Sequence, residues 1–158
     1  MKFYPAEKYQ EKCKARFEYY RDQIVELIPT ARIEHIGASS IPNAISKGDL
    51  DILVGVDEVD LEHTVQLLLS LGFSEKSNTL RTNELCMLES NDEDVALQIV
   101  ANGSEFEFFL TFRDTLKSDP NLIKQYNELK LACTGLSHAQ YRKRKSEFIE
   151  GVISSAII

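Results

Sequence analysis

The chain has few cysteines, no long apolar run and no excess of basic residues, and each lack removes a class of protein. Its three cysteines, Cys13, Cys86 and Cys133, are scattered. They offer neither a disulfide framework nor a zinc spacing, so reduced thiols in a cytoplasmic setting are expected. No apolar stretch reaches the length of a membrane span. The opening MKFYPAEKYQ has no apolar signal core. A cytoplasmic protein without membrane partners is therefore expected. With 18 Lys and Arg against 25 Asp and Glu, the formal charge is −7. That excess is the wrong sign for a general nucleic-acid binder. No Ser-His-Asp or Cys-His arrangement stands out along the sequence.

What is present fits one compact domain. The 158 residues are 43% hydrophobic, enough to bury roughly two-thirds of the unfolded surface without a staple. Three stretches follow one another: an N-terminal helix over 1–30, a sheet core with a site loop over 31–104, and a helical cover over 105–158. In the first, Ala6, Tyr9, Cys13, Phe17, Tyr20, Ile24 and Leu27 recur every three or four residues. Pro29 ends that pattern. A helix is expected from Asp57 to Ser70, capped by Asp57 or Asp60 and stopped at Gly72. Phe73 to Leu80 reads as an extended piece and a turn. Strands at Glu84–Leu88 and Val95–Val100 are joined as a hairpin across Ser90–Glu93. Ser104 and Glu107 have capping-box spacing ahead of a Phe-rich helix. Two more helices follow, opening near Pro120 and Ser137.

The chemistry gathers between Arg32 and Val56. A strand, Arg32–Ile36, runs into the small-residue loop Gly37-Ala38-Ser39-Ser40. Asp49-Leu50-Asp51 then leads into an apolar strand, in which alternation puts both carboxylates on one face with Leu53. The opposite face carries Leu50, Ile52, Val54 and Val56, so the strand is expected to be central and buried on one side. Paired carboxylates suit a hard cation such as Mg²⁺, commonly shared with substrate phosphates. Gly37, Ser39 and Ser40 could seat phosphate through amides and hydroxyls. Together these are the parts of a nucleotidyl-transfer site.

A two-metal site normally wants a third ligand, and Gln98 and Asp94 are the candidates. His35, beside the loop, could contact a phosphate or a base. Lys47, Arg81, Arg113 and Lys130 are the basic residues available to complement phosphate. The run Arg142-Lys143-Arg144-Lys145 reads mainly as a solvated helix face.

Three ordered motifs carry a family resemblance. They are Glu34-His35-Ile36-Gly37-Ala38-Ser39-Ser40-Ile41-Pro42-Asn43; Phe112-Arg113-Asp114-Thr115-Leu116 with Pro120, Tyr126 and Leu129-Lys130; and Tyr141, Lys145, Phe148 and Ile149. In these the chain resembles the GrpB family. The resemblance covers nearly the whole sequence and implies a nucleotidyltransferase-like α/β fold, a mixed sheet flanked by helices. It implies no established reaction. The chain departs from the family in having Asp49-Leu50-Asp51 in the acid strand, Asn43 after Pro42, and Gln98 where a His is common.

Two functions follow as expectations. One is Mg²⁺-dependent transfer of a nucleotidyl group from a nucleoside triphosphate to an unidentified acceptor. Asp49, Asp51 and Gln98 would be catalytic, Asp49 and Asp51 would hold metal, and Gly37, Ser39, Ser40, Arg113 and Lys130 would bind phosphate. The other is a protein that keeps the fold and binds a nucleotide, another anion or a partner without turnover.

Overall fold

A computed structural model describes residues 1–157. Five strands form one mixed sheet: β1 (Arg32–Ile36), β2 (Leu50–Val56), β3 (Phe73–Glu75), β4 (Leu85–Ser90) and β5 (Val95–Ala101). Their spatial order is β1-β2-β5-β4-β3, and only β2 and β5 are parallel. The helices are α1 (Ala6–Leu27), α2 (Leu61–Leu69), α3 (Phe108–Lys117), α4 (Pro120–Ala132) and α5 (His138–Ile157). No helix among the described residues is long and apolar enough to cross a membrane.

Alternation along the strands divides the core. Leu50, Ile52, Val54, Leu97 and Ile99 face α1 and α2, where they meet Tyr9, Cys13, Ile24, Leu61, Val65 and Leu68. Fully burying an aliphatic side chain of this size stabilises the fold by about 1.5–3 kcal/mol. The other face carries Ile36, Leu53, Leu85 and Val100, covered by Phe106 and partly by Phe108 and Phe109. A third cluster joins α3, α4 and α5 through Phe112, Leu116, Ile123, Tyr126 and Val152. Ile41 and Ala44, from the segment after the small-residue loop, are fully buried in that helical cluster.

Several local expectations need correction. Strand β2 is interior, paired with β1 and β5, but it is buried on both faces: Leu53 beyond Asp51 is as buried as its neighbours, because the helical half covers that face too. The Asp57–Ser70 helix divides into a 3-10 turn, Glu58–Asp60, and α2, and neither Asp57 nor Asp60 makes a side-chain cap bond. Ser104 makes none either; its hydroxyl is buried without a partner among the described residues. The reason is geometric: residues 105–107 wind as a 3-10 turn, so the Glu107 amide bonds the Ser104 carbonyl instead. The cap that does form is Asp119, which accepts from the Asn121 and Leu122 amides ahead of Pro120.

Candidate functional site

Strand β1 ends at Ile36, which is paired with Asp51. Gly37 then turns with φ +75, ψ −177, a backbone combination open essentially to glycine alone. The close approach is as restrictive as the dihedral. A Cβ at Gly37 would overlap a carboxylate oxygen of Asp51 and stand 3.1 Å from its Cβ and Cγ. The loop therefore lies directly on the Asp51 side chain. It continues as a 3-10 turn, Ala38–Ser40.

The loop hydroxyls are already engaged. Ser39, which is buried, shares a 2.8 Å hydrogen bond with His35 Nε2, and Ser40 donates to the Gly37 carbonyl at 2.6 Å. His35 stacks on Phe17 of α1, ring centres 5.1 Å apart. Burial, with Arg113 and Lys117 nearby, pulls the imidazole down to about 4, so it is neutral at pH 7. His35 thus braces the loop from below.

Asp51 is the second residue of β2, and Asp49 directly precedes the strand, close enough for its charge to act on Asp51. Ser46 donates to Asp49 Oδ1 at 3.2 Å. Asp51 makes no side-chain hydrogen bond or ion pair among the described residues. Burial and the adjacent Asp49 raise it to about 6, against the opposing pull of Lys145 and Lys76; Asp94 adds to the rise. Like charges on neighbouring acids, with Asp51 in no direct ion pair, favour a cation between them.

Strand β5 lies beside β2, with Ala96 opposite Asp51 and Gln98 opposite Leu53. Gln98 thus shares the site face one pleat further along. Its Oε1 is buried with no hydrogen-bond partner among the described residues, an unmet acceptor in an apolar wall. Asp94 is exposed and enters through its backbone, its carbonyl accepting from Leu50 at 3.0 Å. Among the described residues no three His, Cys, Asp or Glu side chains gather as a metal cage. The donor set still fits Mg²⁺, which is held by one or two carboxylates and completes its shell with water and phosphate oxygens.

The basic candidates separate. Arg113 spends its guanidinium on the His35 carbonyl (3.0 Å), Glu34 (3.1 Å) and Asp114 (2.9 Å), tying α3 to β1. Arg81 pairs with Glu62 and Glu75 across α2 and β3. Lys130 is buried, donates from Nζ to the Ile45 carbonyl at 2.6 Å and lies 3.9 Å over the Tyr126 ring. Burial and then Lys145 lower it to about 7, with Asp49 and Asp51 resisting and the exposed Lys47 adding to the fall. Lys130 of α4, Lys145 of α5 and Lys76, just after β3, therefore stand within electrostatic reach of the acid pair. Lys145 was missed in the sequence as a site residue. Its signal was the spacing Tyr141-Lys145-Phe148-Ile149, which sets it apart from the exposed Arg142, Lys143 and Arg144.

A family model described as GrpB protein matches residues 6–155. The chain belongs to the GrpB family. A UPF0157 protein of Vibrio cholerae is 61% identical over 157 residues, 99% of this chain and 84% of that protein. A UPF0157 protein of Deinococcus radiodurans is 32% identical, covering 90% and 76%. The crystal structure of the GrpB protein from Enterococcus faecalis aligns with a TM-score of 0.81 at 21% identity, over 98% of this chain and 96% of that one. Part of this chain also aligns in fold with the Cid1 poly(U) polymerase bound to MgGTP. There the TM-score is 0.52 at 16% identity, over 72% of this chain and 37% of the polymerase. At such identities the likeness is one of fold: this GrpB chain has the nucleotidyltransferase-like α/β architecture.

Proposed function

We propose that the chain, acting as one domain, is a Mg²⁺-dependent nucleotidyltransferase that moves a nucleotidyl group from a nucleoside triphosphate to an acceptor hydroxyl. The observation that carries this reading is the seating of the Gly37 turn directly on Asp51, with Asp49, held by Ser46, immediately ahead of the strand. A fold shared with a poly(U) polymerase supports it. In the transfer the acceptor oxygen bonds to the α-phosphorus and gives up its proton to solvent, and the bond to the departing pyrophosphate breaks. Asp49 and Asp51 would hold Mg²⁺, which supplies positive charge against the phosphate oxygens. Gln98 Oε1 would orient a water or the acceptor from β5. With the Ser39 and Ser40 hydroxyls engaged, the loop's part in phosphate binding falls to its backbone. Lys145 and Lys47 would face the phosphate charge. The three free cysteines, all buried, accord with a reducing cytoplasm.

One observation favours a second reading, nucleotide or anion binding without turnover. Strand β5 presents the Gln98 amide where a third carboxylate would help activate an acceptor. Calorimetric titration with ATP, CTP, GTP and UTP separates the outcomes, using Mg²⁺ or EDTA, the unaltered chain, and Asp49→Asn with Asp51→Asn. Binding that needs both Mg²⁺ and the acid pair supports the site. Pyrophosphate release on adding acceptor candidates then divides transfer from binding alone. If no triphosphate binds, both nucleotide readings fail.

A further inference from the structure

Between the small-residue loop and β2, residues 43–46 form neither helix nor extended strand, and Asn43 takes a left-handed φ of 63. The polar groups of this segment are satisfied largely from outside it. Asn127 of α4 accepts from the Ile45 amide and donates to the Asn43 carbonyl, both at 2.9 Å. Lys130, three residues on and so on the same face of α4, donates to the Ile45 carbonyl. Both peptide groups flanking Ile45 are thus held by one helix. Tyr9 of α1 donates to the Ala44 carbonyl at 2.7 Å, and Ser46 is bridged to Tyr4. The segment ends at Ser46, whose hydroxyl accepts from the Gly48 amide at 3.0 Å and donates to the Asp49 carboxylate.

We propose that Asn127 and Lys130 are positioning residues that clamp the segment 43–46, so that Ser46 aims the Asp49 carboxylate. A buried ammonium is expensive to desolvate, and a methionine would fill the same space without that cost. The position is explained by the bond Lys130 makes. Lys130, read from the sequence as a phosphate ligand, acts instead through the backbone of Ile45. The helical half and the acid pair meet through this segment. A shift in α4 is passed to Asp49, and supporting contacts of this kind decide whether a site is held tightly enough to work. The functional consequence rests on the proposed role of Asp49; the clamp itself does not.

The test uses the full chain with Asn127→Ala and, because a single variant can be uninformative, Lys130→Met. In Asn127→Ala the Ile45 amide should lose hydrogen-exchange protection, and the Asp49 carboxyl carbon should move in NMR chemical shift. The amides of β2 and β5 should stay protected. Asn127→Asp keeps the acceptor toward Ile45 and should restore part of the effect. Mn²⁺ affinity, read by water-proton relaxation, should fall about tenfold, the size seen when a partner of a metal ligand is removed. A freed Ile45 amide with an unmoved Asp49 carboxyl signal overturns the clamp, as does an Ile45 amide that stays protected. If the unaltered chain binds no Mn²⁺, the metal reading fails, and the Asp49 signal alone judges the clamp.

Discussion

Asp51→Asn removes a charge while keeping the side chain's shape and the pairing of β2 with Ile36 and Ala96. In the folded protein burial and Asp49 raise Asp51 to about 6, against about 4 for an unperturbed aspartate. At about 1.4 kcal/mol per unit, ionised Asp51 costs the fold about 3 kcal/mol. The folded state holds this proton more tightly than the unfolded chain, so stability declines as pH rises from about 4 to about 6. Above that interval the cost is complete, and below it the cost is gone. Asparagine never incurs it. Urea unfolding should find Asp51→Asn more stable by about 2–3 kcal/mol near pH 7.5, with the two proteins converging near pH 4. Saturating Mg²⁺ should narrow or reverse the difference at the higher pH, because a ligand of the folded state stabilises only the protein that binds it. No gain near pH 7.5, or a gain undiminished near pH 4, would refute the claim that this half-buried carboxylate is desolvated without a direct partner.

Gly37→Ala should destabilise the chain by about 1–3 kcal/mol from backbone strain alone, lowering Tm by several degrees. Its cost should shrink in an Asp51→Ala background, where the overlap with the carboxylate is removed; additive losses in the double-mutant cycle would contradict that contact. Gln98→Asp should raise Mn²⁺ affinity by at least tenfold in calorimetry and lower stability in EDTA, by adding a third carboxylate to the face of Asp51. Asp119→Ala should cost about 1 kcal/mol through the lost cap on α4, with triphosphate binding unchanged.

The parts of the site governed by local alternation were legible in the sequence. The apolar run after Asp51 marked β2, and the hairpin reading paired β4 with β5. The helical spacing of α1 was equally plain, because its buried residues, Tyr9, Cys13, Tyr20 and Ile24, follow one stripe. The cations were hidden by the assumption that charge means exposure. Lys130 follows Ile123 and Tyr126 on the buried face of α4, and that spacing was the available clue. Arg113 could not be assigned from sequence, since its partners Glu34 and the His35 carbonyl arrive from a strand 78–79 residues earlier. The failed caps at Asp57, Asp60 and Ser104 have a common cause. Each lies at or beside a short 3-10 turn, and a capping pattern in sequence does not distinguish a 3-10 start from an α-helical one.

Cys13 sits on α1 beneath the acid pair, its thiol 3.5 Å from the Gly48 carbonyl. Burial raises this thiol above its ordinary range, and a buried thiol reacts only when its cover opens. The rate at which a small alkylating reagent captures Cys13 is therefore a stopwatch for the lifting of the segment that carries Asp49. Cys86 lies in the sheet and Cys133 at the end of α4, both fully buried, so their capture times the opening of other parts of the fold. A triphosphate that holds the loop down would slow the first clock and leave the other two running, making an uninformed thiol a reporter of occupancy before any product is known.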